Sequence, residues 1–417
     1  MYDKIKNLLL KHRNYILLWQ GQFVSSLGDV FYEIALGFFL LQQYKSSALM
    51  AMVIAVSAVP GIFAAPFAGV VVDRVNKKWI LVTVDLIRGI VVVTTAVWVY
   101  LGTAPLWLFF LTGMVITAGG AFFTSCAKSL IPQIVEEREL MRANSTMSVA
   151  QESTEIGGNA AGGFVYQFMG AGFMFLFNGI SYLISGVMFL FLKLGRKRTE
   201  SKMTPKSFFA DLKSGVKFTV GFAGLRDMIM MACCLNFFAS GASILLKPLF
   251  NDISGLGARE YGIAVGAICI GNLLGMLFTS FVKIPADRKM MLFMISAAVD
   301  SLFNAVFPFV NIQIGCVLLA CGGFANSIIN VFIVSSIQQS VPEKMRGKVF
   351  SLISMVSQGI TPIAIAIAGV AAEWLNIKLL IFAGYSANLI IFGLFALKKP
   401  FRNFISIQPK NQRESNG

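Results

Sequence analysis

The chain has 417 residues, of which 56% are hydrophobic and only 13% are charged, and its mean hydropathy is +0.74. Such a chain cannot hide its apolar surface in one water-soluble core, so lipid has to solvate much of it. The net charge of +15 does not indicate nucleic-acid binding. That function would require a soluble domain with basic residues on one face and aromatic residues among them, and the sequence contains none.

Apolar segments long enough to cross a membrane follow one another along the chain. A transmembrane helix needs about 20 apolar residues, whereas β-barrel membrane proteins show alternating segments of about 10 residues. The sequence therefore predicts an all-α polytopic membrane protein with twelve transmembrane helices in two six-helix halves. The predicted spans are 14–41, 48–72, 79–101, 105–129, 140–167, 171–192, 227–250, 260–282, 290–310, 312–339, 348–372 and 377–397.

The basic residues predict the orientation of these spans. With a cytoplasmic N-terminus, almost all lysines and arginines fall in cytoplasmic loops or at cytoplasmic helix ends. The exceptions are Lys45, Lys247, Arg259 and Lys378. By the positive-inside rule both termini are expected in the cytoplasm. We expect a multi-pass protein of a bacterial inner or plasma membrane, with a first helix rather than a cleaved signal peptide at 14–41.

A basic hydrophilic stretch between the sixth and seventh predicted spans divides the chain. Within it, apolar side chains from Phe209 to Val220 recur at helical spacing, which predicts an amphipathic surface helix. A disordered basic linker is the alternative. The predicted regions are an N-terminal bundle at 1–193, the linker at 194–226, a C-terminal bundle at 227–398 and a cytoplasmic tail at 399–417.

Short patterns recur at matching positions of the two halves. In each half a proline ends one helix, and a Met-Arg pair opens the next. An Asp-Arg pair also follows the second and the eighth span. The matching pairs are Met141-Arg142 with Met345-Arg346, and Asp73-Arg74 with Asp287-Arg288. Internal duplication of this kind is typical of transporters whose substrate site lies between the repeats near the bilayer midplane.

Four carboxylates are predicted deep in the membrane. Asp29 and Glu33 are four residues apart on one face of the first helix, and Glu152 and Glu155 are three apart on the fifth. At about 1.5 Å per residue, all four lie near mid-bilayer, and we expect no basic residue at that level in this half. Ionisable residues at this depth are energetically costly in a membrane, and they are therefore functional candidates.

The four acids suit two functions and one structural role. A carboxylate in low dielectric beside like charges can hold and release a proton, which suits proton-coupled transport. The same acids could instead be counter-ions for a cationic substrate. In the structural alternative they bond to Gln22, Gln151, Asn159 or helix ends and only help the bundle to pack.

Other membrane-embedded polar residues point less clearly to function. Asp300 has Asn304 one turn on, and a packing role is as plausible there as a substrate role. Asp85 and Arg88 are three residues apart, and we interpret them as a local structural pair.

The six cysteines all lie in apolar segments and are interpreted as reduced packing residues. With no metal-ligand, nucleophile–base or phosphate-binding pattern, we expect no cofactor, no enzyme activity and a proton gradient as the energy source.

Several motifs resemble those of major facilitator transporters. The basic turn from Gly69 to Lys78 is similar to that family's loop between its second and third helices. The glycine run from Gly157 to Gly163 resembles an exporter element, although Asn159 stands in place of its proline. The opening Gly21–Asp29 and the linker segment 211–218 resemble the bacterial macrolide-efflux and enterobactin-exporter branch.

The resemblance implies roles for particular residues. It implies a cytoplasmic gating latch and, in helices five and eleven, points of close contact and bending. The gating candidates are Gly69, Asp73, Arg74, Lys77, Arg142, Asp287, Arg288 and Arg346. The helix-bending candidates are Gly158, Gly162, Gly163 and Pro362.

These observations predict a secondary active transporter working by alternating access. We expect a proton-coupled exporter of lipophilic or amphiphilic small molecules, with Asp29 as the leading proton carrier. Its expected partners are the substrate, protons and the lipid bilayer, without nucleic acid, and a monomer is expected. A lipid or lysolipid flippase is the alternative, and a non-transporting sensor or membrane enzyme is a remote one.

Overall fold

A computed structural model of the chain describes residues 12–194, 205–252, 256–282 and 284–406. These residues form helices joined by short connections, and within them there is no β-strand. The all-α prediction is therefore confirmed.

The first half begins with four long helices and continues through a helix pair. The helices are α1 Arg13–Tyr44, α2 Ser47–Arg74, α3 Lys77–Tyr100 and α4 Leu106–Ile134, followed by the 3-10 turn Glu137–Glu139 and the helical stretch Leu140–Phe189. That last stretch is broken at Gly170, whose φ of 75° and ψ of 176° are not helical. A positive φ favours glycine, because a Cβ would be strained there. We therefore call its two parts α5 (140–169) and α6 (171–189).

The described part of the second half contains six long helices, as the first half does, and three shorter ones. They are α7 Pro205–Gly221, α8 Ala223–Ile244, α9 Leu246–Asp252, α10 Ala258–Phe281, α11 Ala286–Val306 with the 3-10 turn Phe307–Phe309, α12 Ile312–Ser340, α13 Glu343–Ala371, α14 Ile377–Ala396 and α15 Lys399–Ile405. α7 occupies the linker region for which the sequence predicted a helix.

Among the described residues, eleven helical stretches are long and apolar enough to cross a membrane. One of them, Glu137–Phe189, has 53 residues. At about 1.5 Å per residue this is more than twice the hydrocarbon thickness of about 30 Å, so it cannot be a single crossing. Counted as α5 and α6, it brings the spans to the twelve that the sequence predicts.

The chain divides into two compact units. One, here the N-terminal unit, is Met1–Phe208 with Ser254–Gly262, and the other, the C-terminal unit, is Phe209–Ile253 with Ile263–Gly417. In the C-terminal unit α8 packs against α13 and α14, and α11 packs against α12 and α14. The short α15 closes one end of α8 by burying Phe401, Phe404 and Ile405.

Close helix approach in the N-terminal unit depends on glycines that face α1 or belong to it. α1 packs against α5 and α6, and α3 packs against α6. A Cβ placed on Gly28 would lie 2.5 Å from Asn178 Oδ1 and 3.0 Å from the Asn178 Cα, while Gly158 and Gly162 of α5 pack on side chains of α1. Small residues at such contacts let two backbones come together.

The bending expected at the glycine run differs from what the structure shows. α5 keeps helical geometry through Gly158, Gly162 and Gly163, and the break comes at Gly170. Gly163 packs against the backbone of Ala258, which belongs to the same unit. The α-helix α13 continues through Pro362. The run therefore serves close packing in this conformation.

We expect Gly28→Val to destabilise the N-terminal unit. The new side chain would overlap Asn178, and α1 would have to move away from α6, at a cost of about 1–3 kcal/mol. Thermal unfolding of the detergent-solubilised protein measures the change. Gly393→Ala in α14, where a Cβ meets nothing within 4 Å, is the matched control and should melt at or above the wild-type temperature. Equal melting of both variants would contradict this account of the contact.

Candidate functional site

The N-terminal unit exposes a polar face on α1 and α5. Every exposed residue of α1 is polar, and most exposed residues in the first half of α5 are polar too. By contrast, α3 exposes mainly large apolar side chains such as Ile87 and Ile90. Here the polar face means Gln20, Glu33, Ser148, Gln151, Glu152 and Glu155. Polar surface at membrane depth is tolerated where it lines a water-filled path rather than lipid.

The structure brings the three predicted glutamates together on this face. Glu33, Glu152 and Glu155 are all exposed, and Glu155 interacts electrostatically with both of the others. The amide of Asn159 donates to the main-chain oxygen of Glu155 at 2.8 Å, so this contact does not involve the Glu155 carboxylate. Three acids that are close together and reached by water can attract a cation or a proton.

Asp29 differs from the glutamates, because it is half-buried and turned toward α6. The hydroxyl of Tyr182, a fully buried residue, donates a hydrogen bond to Asp29 Oδ1. Asp29 also interacts electrostatically with Glu33, one turn away on α1. It therefore lies between the polar face and the interior of the unit.

Behind Tyr182 lies a buried ion pair on α3. The Arg88 guanidinium is centred 4.2 Å from the middle of the Tyr182 ring, an arrangement that a cation–π interaction stabilises. Arg88 Nη1 is 3.5 Å from Asp85 Oδ1, and Ser185 donates to Asp85 Oδ2 at 2.7 Å. Asp85 and Arg88 are 0% and 6% exposed. We call Asp29, Asp85, Arg88, Tyr182 and Ser185 the buried cluster.

The buried cluster corrects one expectation. The sequence predicted no basic residue at the level of the acids, and this is wrong, because Arg88 interacts electrostatically with Asp29. The expected local pair of Asp85 and Arg88 is present, but it also reaches another helix. Gly119 of α4 leaves the space that Arg88 occupies, since a Cβ there would lie 2.7 Å from Arg88 Cδ. Only the fold shows which side chain fills that space.

In the C-terminal unit, Asp300 is buried beside its own helical neighbour. Asn304 Nδ2 donates to the Asp300 main-chain oxygen at 2.8 Å and to Asp300 Oδ1 at 3.0 Å. This geometry fits the packing role that the sequence left open for the pair.

Comparison with known proteins identifies the family of this helical bundle. A sequence model of the transmembrane secretion effector family matches residues 9–415. The chain belongs to this family of the major facilitator superfamily. A neighbour in sequence is the uncharacterized MFS-type transporter YvqJ of Bacillus subtilis, 25% identical over 89% of this chain and 89% of that protein. Macrolide efflux protein A of Streptococcus pyogenes is 20% identical over 90% of this chain and 93% of its own.

Solved structures support the same fold. A mutant of the nucleoside transporter NupG superposes with a TM-score of 0.74 and 13% identity, over 92% of this chain and all of that one. The superposition shows the fold, and membership of the family makes the protein a membrane transporter and not an enzyme. One of its relatives, macrolide efflux protein A, is an efflux protein.

The transporter's basic turn lies at the junction of α2 and α3. Among the described atoms, a Cβ on Gly69 would meet nothing within 4 Å. Arg74 is exposed, and Lys77 is buried, with its carbonyl 3.3 Å from the Cys126 thiol. The Asp73 side chain lies outside the described residues.

The other gating candidates lie at helix starts. Arg142 is half-buried near the start of α5, and Asp287 and Arg288 are exposed in the first turn of α11. Arg346 Nε donates to the Val341 carbonyl at 3.0 Å, which caps the end of α12. A gating role for these residues stays a prediction.

We expect water-soluble maleimide to label the polar face but not the apolar surface of α3. In a variant without the native cysteines, Ser148→Cys and Gln151→Cys should react several-fold faster than Ile90→Cys. All three positions are exposed, but only the first two belong to the polar face, and thiol reaction requires water and a thiolate. Equal labelling rates in membranes would contradict a hydrated polar face.

Proposed function

We propose that this transporter exports lipophilic or amphiphilic small molecules against proton entry. The observation that carries the proposal is Asp29, half-buried between the polar face and the buried cluster. From this position Asp29 can exchange protons with water at the polar face. Its charge also acts on the other groups of the buried cluster. The proposal includes cytoplasmic termini, as the distribution of basic residues indicates.

Coupling follows from competition for the same acids. When Asp29 and the glutamates are ionised, several negative charges lie close together at the polar face and its border, and a proton or a cationic substrate relieves their repulsion. Binding of one then favours release of the other. A transporter in which both cannot bind at once exchanges them across the membrane.

The direction of transport and the substrate class are supported by the relatives. The matched family is described as transmembrane secretion effectors, and one relative is named for macrolide efflux. We therefore propose export, and a macrolide is the first substrate to test.

We expect Asp29→Asn to abolish proton-driven accumulation of a macrolide in inside-out vesicles. The amide cannot carry a proton, so uptake should fall to the level of vesicles without a gradient. Asp252→Asn is the matched control, because Asp252 is an exposed carboxylate at the end of α9 and should leave uptake unchanged. Transport at the wild-type rate by a folded Asp29→Asn protein would refute the assignment of the proton to Asp29.

Glu152→Gln should separate substrate attraction from coupling. We expect weaker binding of a cationic substrate with the dependence on the gradient retained, because Asp29 is intact. If folded wild-type protein moves no macrolide or lipophilic dye but transports lipids according to their head groups, the export proposal is wrong and a flippase replaces it.

A further inference from the structure

The buried cluster contains two carboxylates and one guanidinium. Asp85 pairs with Arg88 inside α3, and Tyr182 joins the Arg88 side chain to Asp29 through its ring and its hydroxyl. From α4, Gly119 and Gly120 face the Arg88 side chain. The guanidinium therefore interacts with acids from two helices, Asp85 of α3 and Asp29 of α1.

The other titratable groups near the cluster do not supply a second cation. Within the described part of the chain, the groups that interact electrostatically with Asp29 from its own helix are Glu33 and the phenol of Tyr32. From α6 the cluster meets Tyr182, which interacts with Asp29, Asp85 and Arg88. None of these groups carries a positive charge.

The charge count has a simple consequence. With both carboxylates ionised the cluster carries a net charge of −1, and with one proton on either carboxylate it is neutral. Asp85, Arg88 and Tyr182 are buried, so a net charge on the cluster is largely shielded from water and is disfavoured, whereas a neutral hydrogen-bonded group is tolerated. We therefore expect the cluster to hold one proton, which can reside on either Asp29 or Asp85.

We propose that Asp29 and Asp85 hold one proton between them, and that Arg88 positions it by pairing with whichever carboxylate is ionised. In the structure Arg88 Nη1 is 3.5 Å from Asp85 Oδ1, and the guanidinium also interacts electrostatically with Asp29, so the cation is close to both acids. Movement of that proton from the Asp29 carboxyl oxygen to Asp85 transfers the ion pair to Asp29 and leaves the net charge unchanged. Its role in transport rests on the proposed function, but the shared proton itself does not.

Asp85 and Arg88 are thus positioning residues for the proton carrier. Both are buried, so they need not touch the substrate. A purely structural pair would instead leave the protonation of Asp29 independent of Asp85. The two possibilities differ in whether replacing Asp85 changes the protonation of Asp29.

Infrared difference spectroscopy of the purified full-length protein tests the proposal, because a protonated carboxyl group has its own carbonyl band. Asp29→Asn should remove one such band. Asp85→Asn should remove a band of the same size, because Arg88 then pairs with Asp29 and keeps it ionised. The double variant should lose no further carboxyl band. Survival of the wild-type band in folded Asp85→Asn would overturn the proposal.

Further variants keep the test decisive if Asp85→Asn does not fold. Asp85→Ser, which also removes the carboxylate, should give the same loss of one band, and an unchanged band would again overturn the proposal. Ser185→Ala is the control, since it removes one hydrogen bond to Asp85 but no charge, and should retain the band. Arg88→Lys should retain it too, because the cation is kept.

Transport separates this inference from the proposed export function. We expect Asp85→Asn to lose gradient-driven macrolide accumulation as Asp29→Asn does. Loss of the band without macrolide transport by the wild type would support the shared proton and refute export. Coupled export that is intact in Asp85→Asn, with the band retained, would leave export standing and refute the shared proton.

Discussion

A charge buried inside a membrane bundle has to be neutralised by a partner within the protein, and in the N-terminal unit that partner is Arg88. Its guanidinium lies between Asp85 of its own helix and the Tyr182–Asp29 pair of α6 and α1. Removing the one cation of this group would leave an uncompensated buried charge, which costs far more than the pair contributes. Three helices are therefore held in register by the need to keep one cation and two acids together.

The glycines make this arrangement possible. Gly21 and Gly28 let α1 approach α6 near Ser185 and Asn178, and Gly119 leaves room on α4 for the Arg88 side chain. Gly158 and Gly162 fit α5 against the other side of α1. A Cβ on Gly28 would lie 3.0 Å from the Asn178 Cα, so a larger residue there would push α1 away from the helix that carries Tyr182. The packing of small residues and the placement of charge thus depend on each other.

The polar face and the buried cluster meet at Asp29, which gives the first helix two different environments. On its exposed side the helix carries only polar side chains, and on its buried side it packs through glycines and aromatic residues such as Phe38. An acid at this border can respond to water and to the interior of the unit. A transporter that couples two binding events requires a group with both connections.

Sequence alone determined the class of this protein, because about 20 consecutive apolar residues have few alternatives to a membrane helix. It also placed Asp29, Glu33, Glu152 and Glu155 on common helix faces, since a 3.6-residue period follows from the backbone. It could not show that Asp85 and Arg88 connect to Asp29, because that depends on how α3 is rotated against α6. It placed the boundary between the fifth and sixth spans where the break at Gly170 lies, but the bending that it predicted in the glycine run is not seen. Rotation and close contact are decided by side chains from distant segments, and only the tertiary structure brings these together.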